Sequence, residues 1–273
     1  MHIIRLDSTD PSSHADYRCI PALSAFADGK SEGQVPEPRH SHLSVVQGTD
    51  ILIYGGFGAD GKDMEGPVWR FNTETLKWRS SEHETGLPHL ERVKEVEELA
   101  KVPCKDARIA LTPEGTPYVV TPTDVWTKTQ AANKVSAWHS TPLMPWLQGR
   151  SGGLLQLLQA PRGRRYLLYG FGTKTADKET SVFDSLFTFQ IESEGMTGAS
   201  VKDTIKAAVG ADNGMGSWER VEVGMKGEGE QGERPLGLAG AASTVTEGMK
   251  VVVSGGHGSD GKAKGEVWIL TLN

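Results

Sequence analysis

The octapeptide GGFGADGK at residues 55–62 returns near the other end of the chain as GGHGSDGK, residues 255–262, each time behind an apolar run. Both copies contain G-x-G-x-x-G and nearly complete the phosphate-binding G-x-x-x-x-G-K-[ST]. They fail at the last position, which is Asp63 in one and Ala263 in the other. A phosphate loop needs a helix behind it, because converging N–H groups and the helix dipole hold the anion together. Here Lys62 leads to Gly66, Pro67 and a strand-like Val68 to Phe71, and Lys262 leads through Gly265 to EVWILTLN. Both loops therefore join strand to strand, and their glycines supply positive φ in a hairpin. They mark the register of a repeat.

Aligned on these loops, the chain separates into units of strand-like pieces. The first runs through PRHSHLSVV, DILIYGG, PVWRFNT and LKWRSS, within residues 38–82. The second has ARIALTPEG, PYVVTP, TDVWTKT and SAWHST, within 88–141, and has lost the glycine pair. In the third, 149–224, GRSGGLLQLLQ, RRYLLYGFG and DSLFTFQIE precede an insertion and then SWERVEV. The fourth, 234–273, has RPLGLAGAAST, MKVVVSGG and GEVWILTLN and lacks a fourth strand. Near the N-terminus, MHIIRLD and DYRCIPA, within 1–23, read as a partial blade or as closing strands. The leading pieces of most units are apolar or small, as suits strands buried on both faces between neighbouring sheets.

These residues resemble the kelch repeat. The resemblance rests on an arginine before each first strand (Arg39, Arg150, Arg234), on the pairs Gly55-Gly56 and Gly255-Gly256, and on Phe71 followed by Trp78. The order of DYRCIPA, RSGGLLQ, RRYLLYGFG, SWERV and VVVSGGHG is similar to that of the fungal galactose-oxidase-like kelch proteins. The resemblance covers residues 39 to 272. It implies an all-β fold, a kelch-type β-propeller of about four to five four-stranded blades in a single domain over 1–273, incomplete and shortened. Four blades with an extra strand and an open five-bladed arc both remain open. Blades bury their faces only by stacking on neighbours, so Trp78, Trp126, Trp138, Trp218 and Trp268 are expected to fill the gaps between them.

Two short helical insertions are expected. At 88–102, PHLERVKEVEELAKV puts Leu90, Val93, Val96 and Leu99 along one face, and at 200–209 SVKDTIKAAV begins at an N-capping Ser200 and stops at Gly210.

A net charge of −6 and the absence of a basic stripe speak against a nucleic-acid or membrane surface. Two cysteines, Cys19 and Cys104, make no disulfide scaffold, and a cytoplasmic protein is the expectation. GRSGG at 149–153 fits G-x-S-x-G, but a nucleophile elbow needs a helix after the serine, so Ser151 reads as structural. The copper-radical arrangement of galactose oxidase and the E-x-x-x-D-x-x-x-H of iron-binding specifier proteins find no match.

Ligand sites in propellers sit where loops converge at the channel mouth. Arg39, Arg150 and Arg234 precede first strands there, and His40 and His42 share one strand face. Together they could hold an anionic or hydroxylated ligand, or the arginines could instead tie blades together through backbone carbonyls. His257 stands where the first loop has Phe57. No cofactor or metal is expected, because no third ligand accompanies His40 and His42. The expected function is a non-catalytic module binding a protein partner or a small molecule. The alternative is a fungal metabolic enzyme, a lyase, isomerase or cyclisation catalyst, with its substrate in the channel mouth.

Overall fold

The computed structural model describes residues 2–5, 16–19, 35–64, 66–80, 102, 106–130, 136–160, 163–176, 179–191, 216–222, 237–246 and 249–272. The two expected helices, at 88–102 and 200–209, fall almost wholly outside these residues. The fold is all-β, of propeller blades, and the chain divides into two compact units, Met1–Lys101 and Val102–Asn273.

In the first unit, β1 (His2–Arg5) and β2 (Asp16–Cys19) form an antiparallel sheet of their own. The first blade follows as a four-stranded meander of β3 (Leu43–Gln47), β4 (Asp50–Tyr54), β5 (Trp69–Asn72) and β6 (Lys77–Ser80). Gly48, with φ 60°, turns β3 into β4. Asn72 fixes the β5–β6 turn: its Oδ1 accepts from the amides of Glu74 and Thr75, while its Nδ2 donates to Asp50 Oδ1 at 2.7 Å. A side-chain amide that caps its own turn sets the strand register without help from the core. The register brings Phe71 opposite Trp78, with ring centroids 5.0 Å apart, and these two with Ile53 make the buried centre of the blade.

Three further blades make up the second unit. One is β7 (Arg108–Leu111), β8 (Pro117–Val120), β9 (Asp124–Gln130) and β10 (Ser136–Pro142). The next is β11 (Leu154–Gln159), β12 (Arg165–Gly170), β15 (Leu186–Ile191) and β16 (Trp218–Val221). Between its second and third strands lies a separate hairpin of β13 (Thr173–Ala176) and β14 (Glu179–Val182). The last blade has β17 (Ala242–Thr246), β18 (Lys250–Ser254) and β19 (Val267–Thr271), and among the described residues no fourth strand pairs with it. The repeat alignment places these strands as found, except for β13 and β14.

Side-chain alternation in the third blade shows how the unit is held together. From β11 and β12, Leu155, Leu167 and Tyr169 join Ala110, Val120 and Val125 of the preceding blade in one core. Their neighbours Leu154, Leu158 and Leu168 join Val251, Val253 and Leu270 of the following blade in another. An apolar residue at every position is what a strand sandwiched between two sheets requires. Each fully buried leucine contributes about 1.5–3 kcal/mol of transfer free energy. Trp78 and Trp218 are buried, and Trp268 packs against the second of these cores.

Polar links also cross between blades. Gln156 Nε2 donates to the carbonyl and the hydroxyl of Ser243, both at 2.9 Å. The guanidinium of Arg165, 8 % exposed, grips Glu114 through Nη1–Oε2 at 2.8 Å and Nη2–Oε1 at 2.5 Å. Hydrogen bonds from Arg165 hold the Glu114 carboxyl below the usual carboxylate range. A depressed carboxyl contributes stability above the unfolded value of about 4.3, and that stability is lost as pH falls through the folded value. Because the Glu114 carboxylate is partly open to solvent, which screens the pair, Glu114→Gln is expected to cost about 1 kcal/mol at neutral pH. In urea titrations the loss should shrink as pH drops below the ordinary carboxylate range, and a loss independent of pH would show that the pair carries none of it.

Candidate binding site

A common backbone frame precedes the first strand of every blade. Two residues ahead of β3, β7, β11 and β17 stand Ser41, Asp106, Gly152 and Gly240, with φ of 54°, 56°, 64° and 69°. In three blades the residue before this kink exchanges a pair of backbone hydrogen bonds with the loop that leaves the second strand. The pairs are His40 with Phe57, Ser151 with Thr173 and Ala239 with His257, at 2.8–3.0 Å. The loop must pass close to do this. A Cβ on Gly56 would stand 2.6 Å from the His40 carbonyl oxygen, and one on Gly256 would stand 2.8 Å from that of Ala239. In the third blade the same turn is made by Phe171 and Gly172, both at positive φ.

In the two octapeptides the N–H groups of Phe57, Gly58, Gly61 and Lys62, and of His257, Gly258, Gly261 and Lys262, have partners. Gly58 N donates to Lys62 O, Gly61 N to Gly58 O and Met64 N to Gly56 O. Gly258, Gly261 and Lys264 repeat these bonds in the second loop. The carboxylates of Asp60 and Asp260 accept from the amides of Lys62 and Lys262. They also meet the side-chain amines of Lys62 and Lys264 respectively. Those donors are turned onto the loop's own carbonyls and an internal carboxylate, and a strand instead of a helix follows each loop, so the arrangement is not that of a phosphate cradle. Ser151 likewise sits in the bridge, its Oγ 3.2 Å from Thr173 Oγ1, and it is followed by a strand instead of a helix.

Arg39 donates from Nη1 to the carbonyl of Gly55 at 3.1 Å and from Nε to that of Glu37. Arg150 reaches the matching carbonyl, Phe171 O, at 3.4 Å and adds Ser185 Oγ at 3.0 Å. Both side chains thus brace their own blade across its entry frame. The link to the next blade comes from Arg108, whose Nε donates to Gly153 O at 2.8 Å. Arg234 lies outside the described residues, and the position equivalent to Arg39 and Arg150 in the last blade is Leu238, just before the Ala239 bridge. The arginine repeat read from the sequence is therefore out of register by four residues at that unit.

His40 is exposed and stacks on Phe57, with centroids 5.7 Å apart and planes at 27°. His42 is partly buried. In the last blade the bridge pair is Ala239 and exposed His257, whose ring edge lies over Gly240. No group of three or more His, Cys, Asp or Glu suited to a metal occurs among the described residues, and none of their helices is long and apolar enough to cross a membrane.

Three residues outside the sequence-based set belong to the surroundings of the third blade's entry: Arg108, Tyr169 and Trp146. Arg108 and Tyr169 converge on Gly153, where a Cβ would come 3.6 Å from the Tyr169 ring. Burial pushes the Tyr169 hydroxyl up to about 12, although Arg150 and Arg108 both pull it down. Burial also lowers both arginines from their ordinary value. Trp146 is 49 % exposed and packs on Phe187 at 4.7 Å. Its exposed setting in PLMPWLQGR, outside the repeated pieces, is the signal that marks it.

The close approach in the entry frame makes a direct test. Gly56→Ala, at φ 93° and against a backbone oxygen, should cost about 3 kcal/mol in urea unfolding. Gly61→Ala, at φ 74° with nothing within 4 Å, should cost only about 1 kcal/mol. Equal losses would show that Gly56 is not held against His40.

No protein-family model and no curated protein matches the chain. Among solved structures, one titled "Structure of YjhT" aligns over 98 % of this chain and 88 % of its own, at 12 % identity and a TM-score of 0.49.

Proposed function

We propose that the chain is a kelch-type propeller of the fungal galactose-oxidase-like kind, working in the cytoplasm as a non-catalytic binding module. It takes a protein partner or a small molecule on the end of its blades that carries the entry frame. One observation supports this above others: the frame keeps its backbone bonds from blade to blade while the side chains on it change. The bridge positions carry His40 and Phe57 in one blade, Ser151 and Thr173 in another, and Ala239 and His257 in a third. A fixed scaffold whose side chains vary, with His40 and His257 exposed on it, is how a repeat protein builds recognition groups.

Recovery of the full chain from its native cell extract, followed by native mass spectrometry, tests this reading. A co-purified molecule or protein should be released unchanged after prolonged incubation and should be lost from a His40→Ala or from a His257→Ala variant. Conversion of the captured molecule would make the chain a lyase, isomerase or cyclisation catalyst, and recovery of no bound species would remove the binding assignment.

A further inference from the structure

The last blade differs from the first and third at its third strand. On one side β19 pairs with β18, and on the other it pairs with no described strand. Leu272 N donates to Met249 O and Gly255 N to Glu266 O, so in this register Trp268 and Leu270 turn their N–H and C=O groups to β18. Those of Val267, Ile269 and Thr271 point to the open side. The side chains of the same three residues are exposed, Val267 by 52 % and Ile269 by 64 %. In the first and third blades the place of Ile269 is taken by polar residues, Arg70, which is bound to Asp50, and Thr188. An open edge with apolar side chains is a template for pairing, and native sheets ordinarily blunt such an edge with charge, proline or a cover.

The other two blades also show what fits there. Phe71 of β5 and Phe189 of β15 stand where Leu270 stands in β19, opposite Ile51, Leu167 and Val251 of the second strands. Against each of those aromatics the fourth strand sets a tryptophan, Trp78 in β6 and Trp218 in β16, with ring centroids 5.0 and 5.1 Å apart. Leu270 belongs to the core shared with the third blade, and Val221 of β16 packs on that core. The place opposite Leu270 is thus continuous with an interface already built. Among the described strands, β6 and β16 are committed to their own blades and β1 and β2 to each other.

We infer that the open edge of β19 is a docking site for an extended segment of a partner protein. The segment adds antiparallel as the fourth strand of this blade, with a tryptophan opposite Leu270 and a β-branched residue opposite Ile269. Main-chain bonds to Val267, Ile269 and Thr271 supply the pairing, and the two side chains select the segment. The tryptophan extends the core on one face and the β-branched residue covers Ile269 on the other. This edge is a second surface, separate from the entry frame.

The probe is a synthetic peptide of residues 75–81, TLKWRSS, carrying Arg79→Val so that a β-branched side chain meets Ile269. Hydrogen exchange in the full chain should be fast at the amides of Val267, Ile269 and Thr271, and saturating peptide should slow it at least roughly tenfold. The same peptide with Trp78→Ala should bind roughly tenfold more weakly. In the chain, Ile269→Pro removes the central outward N–H, leaves the bonds to β18 in place and should abolish the slowing at Val267 and Thr271. Ile269→Arg installs the residue type that β5 carries at this place and should weaken the peptide roughly threefold or more, which keeps the test open if Ile269→Pro does not fold. The inference is overturned if the peptide slows none of the three amides or if the Trp78→Ala peptide binds equally well. It is also overturned if the amides are slow without peptide: slow at every protein concentration, the strand comes from this chain, and slow only at high concentration, it comes from a second copy. The readout is local to β19, so its failure leaves the entry-frame reading untouched.

Discussion

Everything distinctive about these blades depends on one backbone contact, the pair of hydrogen bonds between the entry to the first strand and the loop that leaves the second. His40 with Phe57, Ser151 with Thr173 and Ala239 with His257 are the same contact made three times. It forces a left-handed residue just after the entry position and a glycine where the loop presses against the entry carbonyl. The octapeptides owe their likeness to that geometry. Glycine is kept at Gly56, Gly172 and Gly256 because a Cβ would collide with backbone, and backbone cannot turn aside as a side chain can.

The contact also decides where chemistry can sit. Arg39 and Arg150 both lie beside it and both bond the first carbonyl after the second strand, so the arginine signature is first a brace. Bracing uses only part of a guanidinium. In Arg150 the guanidinium is also stacked on Phe183 and Phe187 of its own blade. Around it the packing is continuous. The third blade feeds alternate side chains of β11 and β12 into cores on both sides.

The repeat was readable because its signals are local. Glycine pairs, apolar runs and the Phe71–Trp78 spacing each report strand and turn geometry within a few residues, and the strands fall where those marks put them. Two kinds of feature were not readable. The hairpin of β13 and β14 comes from TKTADKETSV, a polar stretch with no apolar alternation to separate a projecting strand pair from a loop. The link from Arg108 to Gly153 crosses between blades, and only blade stacking brings the two together. Arg234 illustrates the reverse error. It has the right residue type ahead of a first strand, yet Arg39 and Arg150 stand four residues before β3 and β11, and that place before β17 is Leu238.

Amide hydrogen exchange followed residue by residue, with and without nucleotide, tests the central claim that the two glycine loops are closed turns. The amides of Gly58, Gly61, Gly258 and Gly261, and those of the bridge residues His40, Phe57, Ala239 and His257, should exchange slowly in the free protein and be unaffected by ATP with magnesium. Fast exchange at the four loop glycines that becomes slow when nucleotide is added would contradict the account and make the loops phosphate cradles after all.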